Sequence, residues 1–344
     1  MSTEETLTEH RLSNGLQVTI VGVGGAGNNF LSRAIDGGVS PKNCVAVNTD
    51  RARLSHSQAQ NRVLLADSSD FSRELREVSP SVQTLAHRIA PFTRESDFTI
   101  LLAGLGGVTG TRTAPVIAQL NRTRVKPVVS IVALPFIHER ERRFVALRGL
   151  KRMVEACDCT VVVDNAVQRE SHSSLERAAD EVGSVAVRSL ANVTALGNAN
   201  VSRRILSILA MGEVATVGIS TMDSNERVQS AVIEALRSPS ANLSLKDARG
   251  AVLLHTGPDR LTTDQLSLSY ETIESLVGHR VEFAQVSTRS ETSGLSIFLT
   301  GYSYGMALSS FADLIEDLYD MEYGVEAGSA QVGMSLRLYQ METL

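Results

Sequence analysis

Apolar runs alternate with segments of helical spacing through the first half of the chain. The first run, residues 18–23, contains one threonine, ends in the glycine-rich segment 24–27 and is followed by a helical pattern over 28–35. Four further strand-like runs occupy residues 44–47, 98–103, 128–134 and 160–163. Because apolar strands that alternate with helices are typical of a parallel sheet covered on both faces, the pattern predicts an α/β domain. Ligands of such sheets bind beyond the carboxyl ends of the strands.

The second half of the chain predicts a long helix followed by a second α/β domain. Residues 175–212 have helical spacing without proline, which indicates a central connecting helix and loop. Strand-like runs then occur at 215–219, 251–255, 281–286 and 295–299, with helical patterns at 225–237 and 263–276. The tail predicts an amphipathic helix over 307–319 and a short strand over 334–339. We therefore divide the chain into domains 1–174 and 213–302, a connection 175–212 and a tail 303–344.

Composition and charge exclude several classes of protein. Hydrophobic residues make up 43% of the 344 and charged residues 21%, which is typical of globular rather than disordered or fibrous chains. The net charge of −5 argues against a generally basic surface, so no nucleic-acid partner is expected. The first 15 residues are polar and acidic, unlike a signal peptide, and the longest apolar run, 128–136, is too short to cross a bilayer. A cytoplasmic protein without direct membrane insertion is expected.

The cysteines predict neither a redox motif nor a metal site. Cys157 and Cys159 are separated by a single residue, which is not the CxxC spacing, and Cys44 does not complete a second pair. We interpret all three as reduced, mostly buried thiols and predict no metal ligands.

A glycine-rich loop follows the first predicted strand. Residues 22–28 read GVGGAGN, which satisfies the GxGxxG pattern between a strand and a helix. Backbone amides and the helix N-terminus at such a loop can hold phosphates, so Gly24, Gly25, Ala26 and Asn28 are candidate nucleotide-binding residues. On this motif alone, a dinucleotide-binding Rossmann domain is the leading interpretation, and a purely structural tight turn is the alternative.

A second glycine-rich loop follows the buried strand at 98–103. Residues 103–115 read AGLGGVTGTRTAP, again between a strand and a helix. Two phosphate-binding loops in one domain are unusual for a dehydrogenase. The candidate nucleotide-binding residues of this loop are Gly106, Gly107, Val108, Thr109, Gly110, Thr111 and Arg112.

The second loop resembles that of the tubulin/FtsZ family, whose signature GGGTGTG precedes a helix beginning AAPVIA. Here residues 106–118 read GGVTGTR and then TAPVIA. Further matches follow in the family's order: NTD at 48–50, LPFIHE at 134–139 with Arg143, Asn165 after three valines, AADEV at 178–182, NER at 225–227, SP at 238–239 and GAVLLHTGP at 250–258. The resemblance covers about residues 16–302. It is therefore unlike a chance occurrence of glycine-rich turns.

The resemblance implies a site for GTP or GDP. It assigns Asn48, Asp50 and Asn165 to the nucleotide, and Glu139 and Arg143 to its ribose or phosphates. For the last two, an exposed charged helix start is an equally good interpretation.

Asp180, the aspartate of AADEV, is the candidate for the guanine edge. A carboxylate can accept hydrogen bonds from N1–H and the 2-amino group, a pattern that adenine lacks. The alternative is that Asp180 occupies a solvated helix position.

The chain departs from the family where catalysis is concerned. Family members stack head to tail, and a loop carrying NxDxxD/E completes the neighbour's site. The two acid positions fall on Val201 and Arg204 here, and residues 182–212 contain no Asp or Glu, so no catalytic residue is predicted. The family's glycine-rich γ-phosphate loop has no counterpart at 66–73.

Arginines occur in the second glycine loop and in the loop that lacks acids. Val108 and Arg112 replace glycines of the second loop, and Arg112 either supplies charge to the diphosphate or fills the pocket. Arg203 and Arg204 lie in the loop that lacks acids, where they either act on a neighbour's phosphates or are simply solvated.

We therefore predict a tubulin/FtsZ-like α/β protein with an N-terminal Rossmann-like parallel-sheet GTPase domain, a long central helix and a second α/β domain. It would bind GTP or GDP weakly or constitutively, with impaired or absent hydrolysis, in a cytoskeletal or cell-division assembly. Head-to-tail self-association and FtsZ-like or other division proteins are the expected partners. The alternatives are an active FtsZ-like GTPase that forms dynamic filaments and a Rossmann-type NAD-binding oxidoreductase.

Overall fold

A computed structural model of the chain describes residues 16–65, 80–122, 126–167, 175–194, 198–222, 227–291 and 293–311. The segment 66–73 and the predicted strand at 334–339 lie outside the described residues, as does most of the helix predicted at 307–319. By its contacts the chain divides into two units, one reaching to Tyr304 and the other beginning at Gly305. Of the second unit the structure describes residues 305–311, which are helical.

The strands of the described residues alternate with helices along the first unit. The strands are β1 Val18–Val23, β2 Cys44–Asn48, β3 Asn61–Leu64, β4 Phe98–Gly104, β5 Val128–Leu134, β6 Cys159–Asp164, β7 Val214–Thr221, β8 Gly250–Gly257, β9 Glu282–Arg289 and β10 Gly294–Tyr302. The helices are α1 Gly24–Asp36, α2 Arg51–Ser55, α3 Pro80–Thr93, α4 Val108–Arg122, α5 Arg140–Ala156, α6 Leu175–Thr194, α7 Ala199–Leu209, α8 Val228–Arg237 and α9 Thr263–Val277. Two short 3-10 turns, Pro41–Asn43 and Leu245–Asp247, complete the described elements.

The described strands form one sheet in the order β3-β2-β1-β4-β5-β6-β7-β10-β8-β9. Strands β1 to β7 pair in parallel, whereas β10 runs antiparallel to both β7 and β8. Every residue of β1, β2, β5 and β6 is buried, as expected for strands covered on both faces. The predicted α/β class with a mainly parallel N-terminal sheet is therefore confirmed.

The segment predicted as a central helix and connecting loop, residues 175–212, contains two helices. Helix α6 ends at Thr194, and α7 begins after Asn198, whose side chain accepts hydrogen bonds from the amides of Asn200 and Val201. An asparagine that caps a helix in this way favours a new start over continuation of the preceding helix. Helix α6 is also linked to strand β10, because the hydroxyl oxygens of Ser189 and Ser296 lie 2.9 Å apart.

The sheet is continuous from β3 to β9 across the positions where we divided the chain. Strand β6 of the first predicted domain pairs with β7 of the second. The boundaries after residues 174, 212 and 302 therefore stay predictions. Within the described ranges, every helix is too short or too polar to span a bilayer.

The three cysteines are free and buried, as predicted. Burial raises the pKa of the Cys44 and Cys157 thiols to about 12, and it also raises the pKa of Cys159. Thiols with such pKa values stay protonated near neutral pH and are poor nucleophiles.

Candidate functional site

Strands β2, β1 and β4 are neighbours in the sheet, and their carboxyl ends lie side by side. The register places Val23 of β1 opposite both Val47 of β2 and Ala103 of β4. The segments that follow these strands therefore lie close together, beyond the carboxyl ends. The connections from β1 and β4 lead to opposite sides of the strand order, and ligands of such sheets bind at this switch point. All three segments carry residues that the sequence assigns to a nucleotide.

The first glycine loop is also the first turn of α1. This helix begins at Gly24, directly after β1, and Gly24 has a φ of 72°, in the left-handed region that favours glycine. Asn28 donates from Nδ2 to the carbonyl oxygens of Gly24, at 2.6 Å, and of Val47, at 3.0 Å. Gly25 and Ala26 lie between these anchored positions and are half-buried. Asn28 therefore holds the loop against β2, besides its predicted contact with the nucleotide.

The second glycine loop leaves part of its backbone open. Thr111 is buried, and its hydroxyl oxygen accepts a hydrogen bond of 2.8 Å from the amide of Gly106, so this side chain closes the loop. By contrast, a Cβ atom built on Gly107 would meet no atom within 4 Å. The next residue, Val108, begins the 15-residue helix α4 and is 54% exposed. An open backbone at the start of a helix is suited to binding phosphate.

Arg112 lies one turn into α4 and is half-buried. Among the residues that the structure describes, none forms an ion pair with Arg112. Both predicted roles, a charge for the diphosphate and a filler of the pocket, stay predictions. Gly110 packs so closely on β4 that an added Cβ atom would overlap the carbonyl oxygen of Gly104.

Hydrogen bonds among its own residues stabilise the turn after β2. The side-chain oxygen of Asn48 accepts hydrogen bonds from the amides of Thr49, at 2.9 Å, and Asp50, at 3.3 Å. Asp50 in turn caps α2 by accepting from the amide of Ala52 at 2.8 Å. The hydroxyl of Thr49 lies 3.2 Å from that of Thr109, which links this turn to the second glycine loop. The predicted residues Asn48, Asp50 and Thr109 are thus brought together.

The sequence interpretation missed Arg53, which lies against the first glycine loop. Its Nη1 atom is 2.8 Å from the point where a Cβ atom of Gly25 would lie, and its Nε atom is 3.5 Å from Oδ2 of Asp50. The i,i+3 spacing from Asp50 was the available signal. Spacing alone does not reveal that the side chain turns towards the loop.

Glu139 and Arg143 are both engaged by the protein itself. The carboxylate of Glu139 accepts from the amide of Phe136 at 3.1 Å and pairs with Arg142. Arg143 is 1% exposed and donates to the carboxylate oxygens of Asp164 at 2.9 and 2.7 Å.

The same Arg143 guanidinium donates to the carbonyl oxygen of Pro135 at 2.6 Å. It therefore fixes the segment between β5 and α5 from inside the protein. The contact of both side chains with a nucleotide stays a prediction, and the described contacts give them structural roles. Sequence reasoning missed Asp164 because it reads simply as the last residue of a strand.

Asn165 and Asp180 are both partly buried residues with side-chain oxygens that can accept hydrogen bonds. The Oδ1 atom of Asn165 is buried, and no described residue forms a hydrogen bond with it. Asp180, on α6, lies 3.5 Å from Nε of Arg33 and accepts from Nδ2 of Asn29, also at 3.5 Å. These contacts hold the Asp180 side chain near α1.

The start of α7 is where the family's acidic residues would lie. Arg203 is exposed, and Arg204 forms an ion pair with Glu282 at the beginning of β9. Glu282 is 53% exposed. The sequence left open whether Arg204 acts on a neighbouring molecule or is solvated, and both roles stay predictions; within its own chain this exposed side chain pairs with Glu282.

These residues fit a nucleotide bound beyond the carboxyl ends of β1, β2 and β4. Gly107 offers open backbone for phosphate, and the buried Oδ1 atom of Asn165 lacks a partner among the described residues, as an atom reserved for a ligand would. Within the described ranges, no group of three or more His, Cys, Asp or Glu side chains could hold a metal ion.

Comparisons with known proteins give one family repeatedly. The model described as "Tubulin/FtsZ family, GTPase domain" matches residues 17–173. Cell division protein FtsZ 1 of Methanocaldococcus jannaschii is 30% identical over 286 residues, which cover 79% of this chain and 78% of that protein. Cell division protein FtsZ 1 of Pyrococcus horikoshii is 32% identical over 271 residues, covering 74% of this chain and 72% of that protein.

Solved structures give the same result for the fold. A structure named as an empty FtsZ dimer from M. jannaschii superposes with a TM-score of 0.69 at 28% identity, covering 88% of this chain and 93% of that chain. CetZ2 of Haloferax volcanii, named as a GTPγS-bound protofilament, has a TM-score of 0.71 at 23% identity and covers 89% and 99%. The second similarity shows the fold alone.

The buried Arg143–Asp164 pair leads to a prediction about stability. Asp164→Asn leaves a buried guanidinium without its carboxylate, so we expect the free energy of unfolding to fall by about 3–5 kcal/mol. Glu282→Gln breaks the exposed pair with Arg204 and should cost less than about 1 kcal/mol. Urea denaturation followed by circular dichroism measures both changes, since the chain has no tryptophan. A loss from Asp164→Asn as small as that from Glu282→Gln would contradict the assignment.

Proposed function

Since the chain belongs to the tubulin/FtsZ family, we propose that it binds GTP or GDP between its two glycine loops and hydrolyses the nucleotide slowly or not at all. Its role would be structural or regulatory, in a cytoskeletal or cell-division assembly. The observation that carries the proposal is the segment 182–212, which contains no Asp or Glu. In its place the start of α7 presents Asn198, Arg203 and Arg204.

Binding would use groups that the fold already positions. The open backbone at Gly107 and the first turn of α1 would receive the phosphates through amide groups. Asn165 and Asp180 would orient the nucleoside, the former with its buried oxygen and the latter with its carboxylate. These roles require no movement of the sheet.

Hydrolysis would lack a group to orient the attacking water. Phosphoryl transfer depends on a positioned nucleophile and on stabilisation of charge in the transition state. Arginine can provide the second effect but cannot accept a proton from water near neutral pH. A neighbouring molecule that offered only Arg203 and Arg204 would therefore hold the phosphates without activating water.

Self-association is part of this proposal. The names of the similar structures describe a dimer of FtsZ and a protofilament of CetZ2. A head-to-tail contact would bring the start of α7 of one molecule towards the glycine loops of the next. FtsZ-like or other division proteins could take the place of the second copy.

One observation favours the second candidate, an active FtsZ-like GTPase. Glu282 is an exposed carboxylate held beside Arg204, one of the two positions that would carry the family's acids. A carboxylate brought from β9 could orient water in a neighbouring site. This candidate requires Glu282 to face that site rather than solvent.

The acid-free segment predicts that phosphate release from GTP stays at background over all protein concentrations that permit assembly. Gly107→Ala is the matched variant, because its added Cβ atom projects into open space and leaves the fold unstrained. Turnover by the parent that rises with protein concentration and disappears in Gly107→Ala would contradict the proposal. Loss of that turnover in Glu282→Gln would then establish the second candidate.

The position of Asp180 predicts a preference for guanine over adenine. An unpaired polar edge costs about 1–3 kcal/mol, so GTP should bind about tenfold or more tightly than ATP, and Asp180→Ala should remove the difference. Arg33→Ala is the control, since it removes one partner of Asp180 and keeps the carboxylate. Calorimetric titration measures the affinities. Equal affinities for GTP and ATP in the parent protein would exclude this role of Asp180.

Slow hydrolysis predicts that assemblies are stable rather than dynamic. Arg203 is exposed, whereas Arg204 is paired with Glu282, so Arg203→Ala should weaken self-association more than Arg204→Ala. A charge pair costs about 2–5 kcal/mol to truncate when buried at an interface and little at a rim. Sedimentation with and without GTP measures the effect. A parent that stays monomeric under all conditions would reject self-association, and assemblies that dissolve as GTP is consumed would restore the active GTPase.

A further inference from the structure

The charged side chain of Arg53 lies next to the first glycine loop. It belongs to the short helix α2, which follows β2, yet its Nη1 atom occupies the space above Gly25. The distance from Nη1 to a Cβ atom built at Gly25 is 2.8 Å. Alanine at position 25 would therefore displace the guanidinium. Gly25 lies in the first turn of α1, where the proposed phosphate site begins.

The position of Arg53 is set by Asp50. One carboxylate oxygen of Asp50 accepts from the backbone amides of Ala52 and Arg53, at 2.8 and 3.1 Å, and so caps the helix. The other oxygen lies 3.5 Å from Nε of Arg53. The ion pair thus engages the inner side of the guanidinium, while Nη1 is the atom that approaches the loop. Asp50 acts here as a positioning residue.

Burial does not explain this arrangement. The Arg53 side chain is 68% exposed and that of Asp50 is 47% exposed, so the pair contributes little to stability. An exposed arginine loses side-chain entropy when it is held in one place. Binding of a ligand by the guanidinium above the loop would account for the position of the Arg53 side chain.

The ligand that fits is a phosphate group. A guanidinium directs several N–H donors in one plane and binds phosphate oxygens in pairs. The turn that carries Arg53 is also linked to the second loop through Thr49 and Thr109, whose hydroxyl oxygens lie 3.2 Å apart. Arg53 and the open backbone at Gly107 therefore border the same site from different strands.

We propose that Arg53 is a phosphate-binding residue that closes over the first glycine loop and holds the diphosphate of the bound nucleotide. This inference rests on the proposed binding of a guanine nucleotide and adds the residue that recognises its charge. The nucleoside would be held by other residues, so the contribution of Arg53 should depend on the number of phosphates.

The test compares Arg53→Gln with Arg51→Gln by calorimetric titration with GDP, GMP and guanosine. Arg51 lies on the same helix, is also exposed and carries the same charge, which makes it the matched control. We expect Arg53→Gln to weaken GDP binding about tenfold and Arg51→Gln less than about threefold. Guanosine should bind the parent and Arg53→Gln equally. Arg53→Lys should recover part of the GDP affinity, because it restores the charge without the planar donors.

The outcomes separate the two proposals. Equal GDP affinities of Arg53→Gln and Arg51→Gln, with clear binding by the parent, would overturn this inference and leave the proposed function standing. An equal loss of guanosine and GDP affinity in Arg53→Gln would also overturn it, since that pattern indicates a structural role. A parent protein that binds no guanine nucleotide would overturn the proposed function and this inference together.

Discussion

The close approach of two backbone segments at the carboxyl ends of β1 and β4 determines the form of the site. A Cβ atom at Gly24 would lie 3.2 Å from the amide nitrogen of Gly110, and one at Gly110 would overlap the carbonyl oxygen of Gly104. Every residue of β1 is buried, and so are the first six of β4, so neither strand can move away without opening the core. The two glycine loops are therefore held as one surface, and the polar residues around them are arranged on a rigid base.

Charged side chains around that base divide into two groups. Arg143 is buried against Asp164, and its charge is used within the fold. Arg53 and Arg112 are at least partly accessible and lie at the two glycine loops. Breaking a buried pair is costly because it leaves one charge without a partner, whereas an exposed side chain can exchange partners freely. The accessible arginines can therefore respond to a ligand, while Arg143 keeps the surrounding segment in place.

Sequence predicted the fold and both loops because periodicity and glycine spacing are local signals. The strands that flank Gly24 and Gly107 are continuous apolar runs, and the structure confirms them. Side-chain partners were harder to predict, since the pairing of Arg143 with Asp164 joins helix α5 to strand β6 across 21 positions of the sequence. The sequence predicted a helix and a loop within residues 175–212, but it did not predict that Asn198 caps a second helix there.

The absence of acids and the presence of arginines at the start of α7 have a thermodynamic consequence for the proposed function. A cation beside the phosphates stabilises the bound nucleotide before the reaction, and only the part of that stabilisation that is greater in the transition state accelerates hydrolysis. A carboxylate near the same phosphates would repel them in the ground state and would be useful only by orienting water. Under the proposed function, Arg203 in the loop and Arg53 above the glycines would therefore favour retention of a nucleotide over its hydrolysis. A retained nucleotide would also raise the free energy of unfolding, because any ligand that binds only the folded state stabilises that state.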